Sequence, residues 1–326
     1  MALDRYGRRL HYLRISLTDH CNLRCVYCMP EDITFQPINE LLQDAEIVRL
    51  VRLFAGLGFD KFRLTGGEPM VRAHIVDLVA AITAVPGVRR LSMTSNGILV
   101  AQQAEALARA GLTRVNFSLD TLDPNKFQRL TRRGRLEDVW AGIQAAEQAG
   151  LTPIKINAVV VRDYNEADVI DLARLTLEHD WQVRFIEMMP FAGATEFQRM
   201  QGVPMDEISR HIQAALGPLQ PLNNGELDGE AEIFRLPGAR GVVGFISTVS
   251  KPFCHSCSRA RLTADGRLRL CLLREDEADL LTPLRAGASD QELRSLIIDA
   301  LWRKPMGHRL AEGDAPLNRV MSQIGG

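Results

Sequence analysis

Long apolar runs are missing from this chain. No stretch approaches the ~20 consecutive apolar residues that cross a bilayer, and the first segment, MALDRYGRRLHYLRIS, carries charges where a secretion signal needs its apolar stretch. A soluble cytoplasmic protein without membrane contact is the expectation. Net charge is almost absent too. The 39 Lys and Arg against 40 Asp and Glu leave a formal −1, so no bulk field calls for nucleic acid, and any anion site must come from a local cluster of cations. Cysteine is scarce, six in 326 residues, and none lies outside two tight groups: Cys21, Cys25, Cys28 and Cys254, Cys257, Cys271. Disulfide frameworks need pairs and an oxidising compartment, whereas close triplets in a reducing one point to metal. With 46% apolar residues the core needs no cross-links, and the length fits one large domain with an extension or two modest ones.

From residue 10 to about 187, short strand-like runs alternate with longer helical ones in six units. The pattern predicts strands near 12 to 18, 61 to 65, 90 to 95, 114 to 119, 153 to 161 and 182 to 187, and helices near 44 to 56, 72 to 84, 100 to 110, 135 to 149 and 165 to 179. Gly58, Gly111 and Gly150 each follow a helical stretch, where a left-handed stop suits a residue without Cβ. Strand, helix, glycine, strand is the order of parallel α/β structure. Buried parallel strands are usually apolar throughout. Here one face is polar at period two (Arg14, Ser16; Lys61, Arg63; Ser92, Thr94; Asn116, Ser118; Lys155, Asn157; Arg184) and the other apolar. An open antiparallel sheet against water would also read this way, but the intervening helices favour parallel strands. The expected fold is an incomplete (β/α)6 TIM-like barrel whose polar face lines a lumen, residues 1 to 190, followed by a C-terminal region, residues 191 to 326. That region should hold strands at Glu230 to Leu236 and Val242 to Thr248, a hairpin over 259 to 273 turning at Asp265-Gly266, a helix near 290 to 301 and a loose tail. The lumen cations suit an anionic ligand.

The first triplet, C-x3-C-x2-C, follows strand one and so lies at the carboxyl end of the sheet, where barrel active sites gather. Three thiolates do not close a structural zinc site, which wants a fourth ligand such as His20; a cubane iron-sulfur cluster held by three leaves one iron open. The second triplet, C-x2-C-x13-C, repeats that arithmetic, with a zinc ribbon using His255 as its rival. Arg259 and Arg261, same-face neighbours just after Cys257, suit bidentate contact with phosphate or else form a solvated hairpin edge. Together with Arg14, Lys61, Arg63, Lys155 and Arg184 they suit a polyphosphate.

LTDHCNLRCVYCMP at residues 17 to 30 resembles the signature of the radical S-adenosylmethionine superfamily. The resemblance implies a [4Fe-4S] cluster on Cys21, Cys25 and Cys28 whose open iron binds S-adenosylmethionine, the source of a 5′-deoxyadenosyl radical; the protein positions that radical. Cofactor positions carried over by the same resemblance are Tyr27, before the last cysteine; Gly67, in LTGGEP; Ser118, on the fourth strand; and Met189, in EMMP.

The second triplet, the arginines and the Gly325-Gly326 end resemble, over essentially the whole chain, the branch of that superfamily that cyclises GTP to open molybdenum-cofactor biosynthesis. This implies a second [4Fe-4S] cluster on Cys254, Cys257 and Cys271 that takes the guanine. GTP would be bound by Arg14, Arg63, Thr94, Lys155, Arg259 and Arg261, with ring closure from ribose C3′ to C8 and the diglycine tail reaching the active site. Thr94-Ser95 stands where that branch more often has two threonines. Also implied are an external one-electron donor, handover to a cyclic pyranopterin monophosphate synthase, and a possible homodimer. A superfamily member acting on a peptide is the competing enzyme reading, and a non-catalytic redox sensor the competing non-enzyme one.

Overall fold

The structure, a computed structural model, describes residues 2–191, 197, 200–222 and 230–325. Six strands, β1 (Tyr12–Ser16), β2 (Lys61–Thr65), β3 (Arg90–Ser95), β4 (Arg114–Ser118), β5 (Lys155–Val159) and β6 (Gln182–Ile186), lie side by side in that order, each parallel to the next. Helices α1 (Asp44–Gly56), α2 (Ile75–Thr83), α3 (Ala104–Arg109), α4 (Pro124–Thr131), α5 (Leu136–Gln148) and α6 (Val169–Glu178) connect them. Parallel pairing excludes the open antiparallel sheet.

The period-two alternation decides which way each strand faces. Leu13, Ile15, Phe62, Leu64, Val115, Phe117, Val183 and Phe185 are at most 1% exposed and belong to one continuous core with the helices. Each contributes about 1.5–3 kcal/mol by leaving water. α1 meets them with Ile47, Leu50, Val51 and Phe54, spaced to share one helix face, and begins in a capping box between Gln43 and Glu46. A register slip of one residue would turn the lumen cations into this core, so the alternation pins the pairing.

Two strands from the C-terminal region extend the parallel sheet. β7 (Val242–Ile246) adds beside β6, and β8 (Arg259–Leu262) adds beside β1. Eight consecutive strands are therefore parallel. The sheet stays open, since antiparallel Glu232–Arg235 lies outside β7 and antiparallel Arg267–Arg269 outside β8. The barrel is incomplete, as expected, but wider than six strands. The expected hairpin is present, with Gly266 at φ +72° in its turn.

One alternative is excluded, one helix is new, and one expectation needs correction. Arg259 and Arg261 are not on a solvated hairpin edge, because β8 pairs with β1 on its other side. Helix α4 was not foreseen; Asp123 caps it through Asn125 and Lys126 N–H, with Pro124 in its first turn. The tail is not loose. Arg319 pairs with Asp265 (2.8 Å) and Glu277 (2.9 Å), Glu275 accepts from Leu317 and Asn318 N–H, and Ile324 is 1% exposed. Gly326 lies outside the described residues. Among the described residues, no helix is long and apolar enough to cross a membrane.

Candidate active site

The loop carrying the first triplet is held from three sides. Arg24 and Val26 N–H donate to Thr131 and Leu130 carbonyls at the end of α4 (both 2.9 Å), so the unforeseen helix is part of the site's scaffold. On the second side lies the Gly66-Gly67-Glu68 turn after β2. Gly67 N–H donates to Thr18 O (2.7 Å) and Glu68 N–H to His20 O (2.8 Å). A Cβ on Gly67 would lie 2.3 Å from His20 O, so only glycine lets these backbones meet. On the third side Tyr27 Oη donates to Asp120 Oδ2 (2.7 Å), whose Oδ1 accepts from Val159 N–H (2.8 Å), tying the loop to the ends of β4 and β5.

Two buried carboxylates brace this end and were missed as site residues from sequence. Glu68 accepts from Met70 N–H, Asn96 N–H and Ser95 Oγ. Burial pushes it up to about 7 against those hydrogen bonds, and pushes Asp120 up to about 6 against Tyr27. Burial also raises the thiols, Cys21 to about 11 and Cys28 to about 12. Thiols in such surroundings need a metal's charge to become thiolates, so loading must release protons.

In the second triplet burial raises Cys271 as well, but Cys257 differs. Cys257 is lowered to about 7, because Lys304 and Arg259 outweigh the effect of burial. The triplet is also clasped by distant segments. Arg8, paired with Asp4 (2.6 Å), donates to Cys254 O (2.6 Å), Met306 O (2.7 Å) and Pro305 O (2.7 Å), and a Cβ on Gly307 would come within 2.9 Å of Cys254 Sγ. None of the six cysteines is joined in a disulfide. Among the described residues, no three His, Cys, Asp or Glu side chains converge as the ligands of a single ion do; a cubane asks for no such convergence, since each thiolate binds a different iron.

Both triplets line one cavity of about 260 Å³ at the carboxyl end of the strands. Tyr27, Gly67, Thr94, Ser118 and Met189 line it as well, together with Arg14, Arg63, Arg259 and Arg261. Lys155 does not; it lines a second cavity of about 550 Å³ towards the strands' amino ends, and Arg63, Arg184, Glu230 and Arg259 border both. The sheet register sets Arg261, Arg14 and Arg63 abreast on three adjacent strands. Arg261 donates to Gly325 O (2.8 Å), Arg63 to Ser92 Oγ (3.3 Å), and Arg259 to Glu230 Oε1 (2.7 Å), which is 3.9 Å from Arg14 Nη1. Burial alone would raise Glu230, yet Arg259, Arg63 and Arg14 hold it well below the usual carboxylate range. Among the described residues, Thr94 Oγ1 and Asn157 Oδ1 face this lumen without a hydrogen-bond partner, which fits a polar ligand.

The tail closes one wall. Against the larger effect of burial, the Ser322 backbone N–H lowers the Cys28 thiol. Gly325 (φ +74°) packs so tightly that a Cβ would lie 2.5 Å from Thr65 Oγ1 and 3.0 Å from Ser16 Cβ. Met321 and Ser322 line the cavity, and Gly325 sits beside it with its carbonyl on Arg261.

Residues 15–176 match the family model of the radical SAM superfamily, and residues 181–310 that of the molybdenum cofactor synthesis C-terminal region. Curated relatives bearing the name GTP 3′,8-cyclase include those of Pelotomaculum thermopropionicum (46% identical, 99% of each chain covered), Moorella thermoacetica (45%, 99% of each) and Gloeobacter violaceus (46%, 97% of this chain and 99% of that one). A crystal structure of Streptococcus suis SuiB superposes with a TM-score of 0.60 at 14% identity, over 93% of this chain and 68% of that one. A second, bound to S-adenosylmethionine, gives 0.59 at 15% identity, over 97% and 78%. At that identity the likeness is one of fold. The full-length relatives and the two adjoining family models carry more, and this chain belongs to the GTP 3′,8-cyclase family of radical SAM enzymes, acting in molybdenum-cofactor biosynthesis.

Proposed function

We propose that this lumen is where GTP becomes (8S)-3′,8-cyclo-7,8-dihydroguanosine 5′-triphosphate, with Cys21, Cys25 and Cys28 ligating one [4Fe-4S] cluster and Cys254, Cys257 and Cys271 a second. The observation that carries this is that two incomplete thiol triplets and a row of arginines share one cavity. Cys21, Cys25 and Cys28 would hold the cluster, which with S-adenosylmethionine would supply the hydrogen-abstracting radical chemistry. Everything else falls to the chain: Tyr27, Gly67, Ser118 and Met189 seat the cofactor; Arg14, Arg63, Arg259, Arg261, Lys155 and Thr94 clamp the triphosphate and ribose. Their part is orientation and charge balance, which convert an encounter into an aligned pair and are worth several kcal/mol of barrier. The second triplet's open iron would hold the guanine end of the substrate.

Finer parts of the reading follow from this one. The two family models adjoin near residue 180, which supports a radical SAM partial barrel to about residue 190 and, beyond it, a C-terminal region with the second triplet, the hairpin and the diglycine tail. Six cysteines outside any disulfide suit the reducing cytoplasm. An external one-electron donor must reduce the first cluster, and a lyase-type classification suits bond rearrangement without hydrolysis. Handover to a cyclic pyranopterin monophosphate synthase follows from the family. A peptide substrate is disfavoured, since the five arginines that line the lumen among the described residues suit a polyphosphate better.

The test is anaerobic reconstitution with iron and sulfide, then incubation with S-adenosylmethionine, reductant and GTP. About eight irons per chain and GTP-dependent release of 5′-deoxyadenosine are expected. Cys271→Ala should abolish cyclisation while the first cluster survives. Four irons in the wild type, or cyclisation by that variant, would remove the second cluster from the reading.

A further inference from the structure

Lys304 is a buried cation with no role in the reading above. It follows the helix Asp290–Trp302, is 2% exposed, and donates from Nζ to the carbonyl of Leu270, the residue before Cys271. Its charge acts on the Cys257 and Cys271 sulfurs. The next residues continue round the triplet: Pro305 and Met306 carbonyls are hooked by the same guanidinium that holds Cys254 O, Gly307 lies against Cys254 Sγ, and His308 Nε2 meets Thr248 O (3.0 Å). The segment 304–308 thus packs against Cys254 and holds the Cys271 peptide, while the Lys304 charge is felt at Cys257.

Burying an ammonium costs several kcal/mol unless an anion answers it. Among the described residues no carboxylate is ion-paired with Lys304, and its charged neighbours Arg8 and Arg259 are cations. The groups left to answer it are sulfurs. A cubane with a 2+ core held by three thiolates carries one net negative charge, and two when reduced. A buried cation beside it therefore favours the reduced form and eases retention of both.

We propose that Lys304 is the internal counter-cation of the second triplet's cluster, holding the Cys271 peptide by its hydrogen bond and setting how readily that cluster accepts an electron. The proposal rests on the reading of Cys254, Cys257 and Cys271 as cluster ligands, and its test separates the two. Full-length protein with Cys21, Cys25 and Cys28 all changed to Ala is reconstituted anaerobically, carrying Lys304, Lys304→Arg or Lys304→Met. Iron and sulfide are counted, and the cluster is titrated by electron paramagnetic resonance against potential. With Lys304 about four irons should bind; failure there sinks the cluster reading and this proposal with it. With Lys304→Met, either a midpoint shifted to more negative potential or loss of iron is expected, and Lys304→Arg should restore both. An unchanged midpoint in the Met variant would overturn the role, as would equal loss of iron in the Met and Arg variants, which would mark a need for lysine's shape rather than its charge.

Discussion

Replacing Gly325 by Ala should unseat the end of the tail and uncouple radical formation from ring closure. At φ +74° a side chain costs about 1–2 kcal/mol in the left-handed region. The new Cβ would also sit 2.5 Å from Thr65 Oγ1, which donates to Ile15 O (3.3 Å), and 3.0 Å from Ser16 Cβ. Both neighbours are at most 2% exposed and belong to adjacent sheet strands, so neither can step aside cheaply. Overpacking of this kind adds about 1–3 kcal/mol, for a total of about 2–5 kcal/mol. Against it stand the Arg261 hydrogen bond to Gly325 O and the burial of Ile324, worth about 1.5–3 kcal/mol each. The two sides are comparable, so the seated state loses at least part of its population. Arg319 anchors the chain six residues upstream and keeps the rest in place. The assay compares 5′-deoxyadenosine with cyclised product per turnover, alongside hydrogen-exchange protection of residues 321 to 325. Cyclisation should fall by at least tenfold, about 1.4 kcal/mol, while cofactor cleavage persists and the melting temperature stays put. Wild-type cyclisation with a protected tail would refute the reasoning, and so would lost cyclisation with the tail still protected.

Glu230→Gln removes the negative charge that answers Arg259 and Arg14, so inorganic triphosphate should bind at least tenfold tighter, about 1.4 kcal/mol, by titration calorimetry; weaker binding would mean the carboxylate orients the arginines instead. Acid should release the tail. In Asp265 burial raises the carboxyl but Arg319 wins and lowers it below 3.8, and in Glu275 burial is overcome by Asn318 and Leu317 N–H, which lower it below 4.5. Groups depressed in the folded state contribute stability above their ordinary values and lose it as pH falls through that range, so exchange protection of residues 317 to 325, corrected for intrinsic rate, should hold near neutrality and collapse below about pH 4. Protection that persists there would mean the tail is held by apolar contacts alone.

How much of this could be read from sequence depended on whether the signal was local. The six strands were legible because alternation is a property of adjacent residues; bounds moved by two residues at most, as when 153 to 161 shortened to Lys155–Val159. The Asp265-Gly266 turn was legible for the same reason. Helix α4 carried its own start signal in Asp123-Pro124 and could have been found. By contrast, nothing within residues 259 to 262 says that their outer edge will pair with residues 12 to 15, so the hairpin that holds Arg259 and Arg261 was legible but its place in the barrel was not. The anchors of the tail and of the second triplet are likewise long-range pairs: Arg319 with Asp265, Arg8 with Cys254 O, Lys304 with Leu270 O. Each looks in sequence like an ordinary surface charge.

Those buried charges also explain why the lumen is polar at all. Parallel strands with helices outside would be more stable with an apolar inner face, yet Arg261, Arg14 and Arg63 stand abreast there, and like charges directly opposite one another destabilise a sheet. Burial first, and then neighbouring arginines, lower Arg14 to about 10 and lower Arg261 well below its ordinary value. Among the described residues, Glu230 and the Gly325 carbonyl are partners of this row. A polyanion entering this row meets cations already stripped of water and fixed by the sheet, so it gains more per contact than at a surface cluster and needs little rearrangement of the backbone. On the proposed reading, a triphosphate would recover free energy that the row gives up in burial, and the tail carbonyl, by contacting Arg261, ties that row to the seating of the tail.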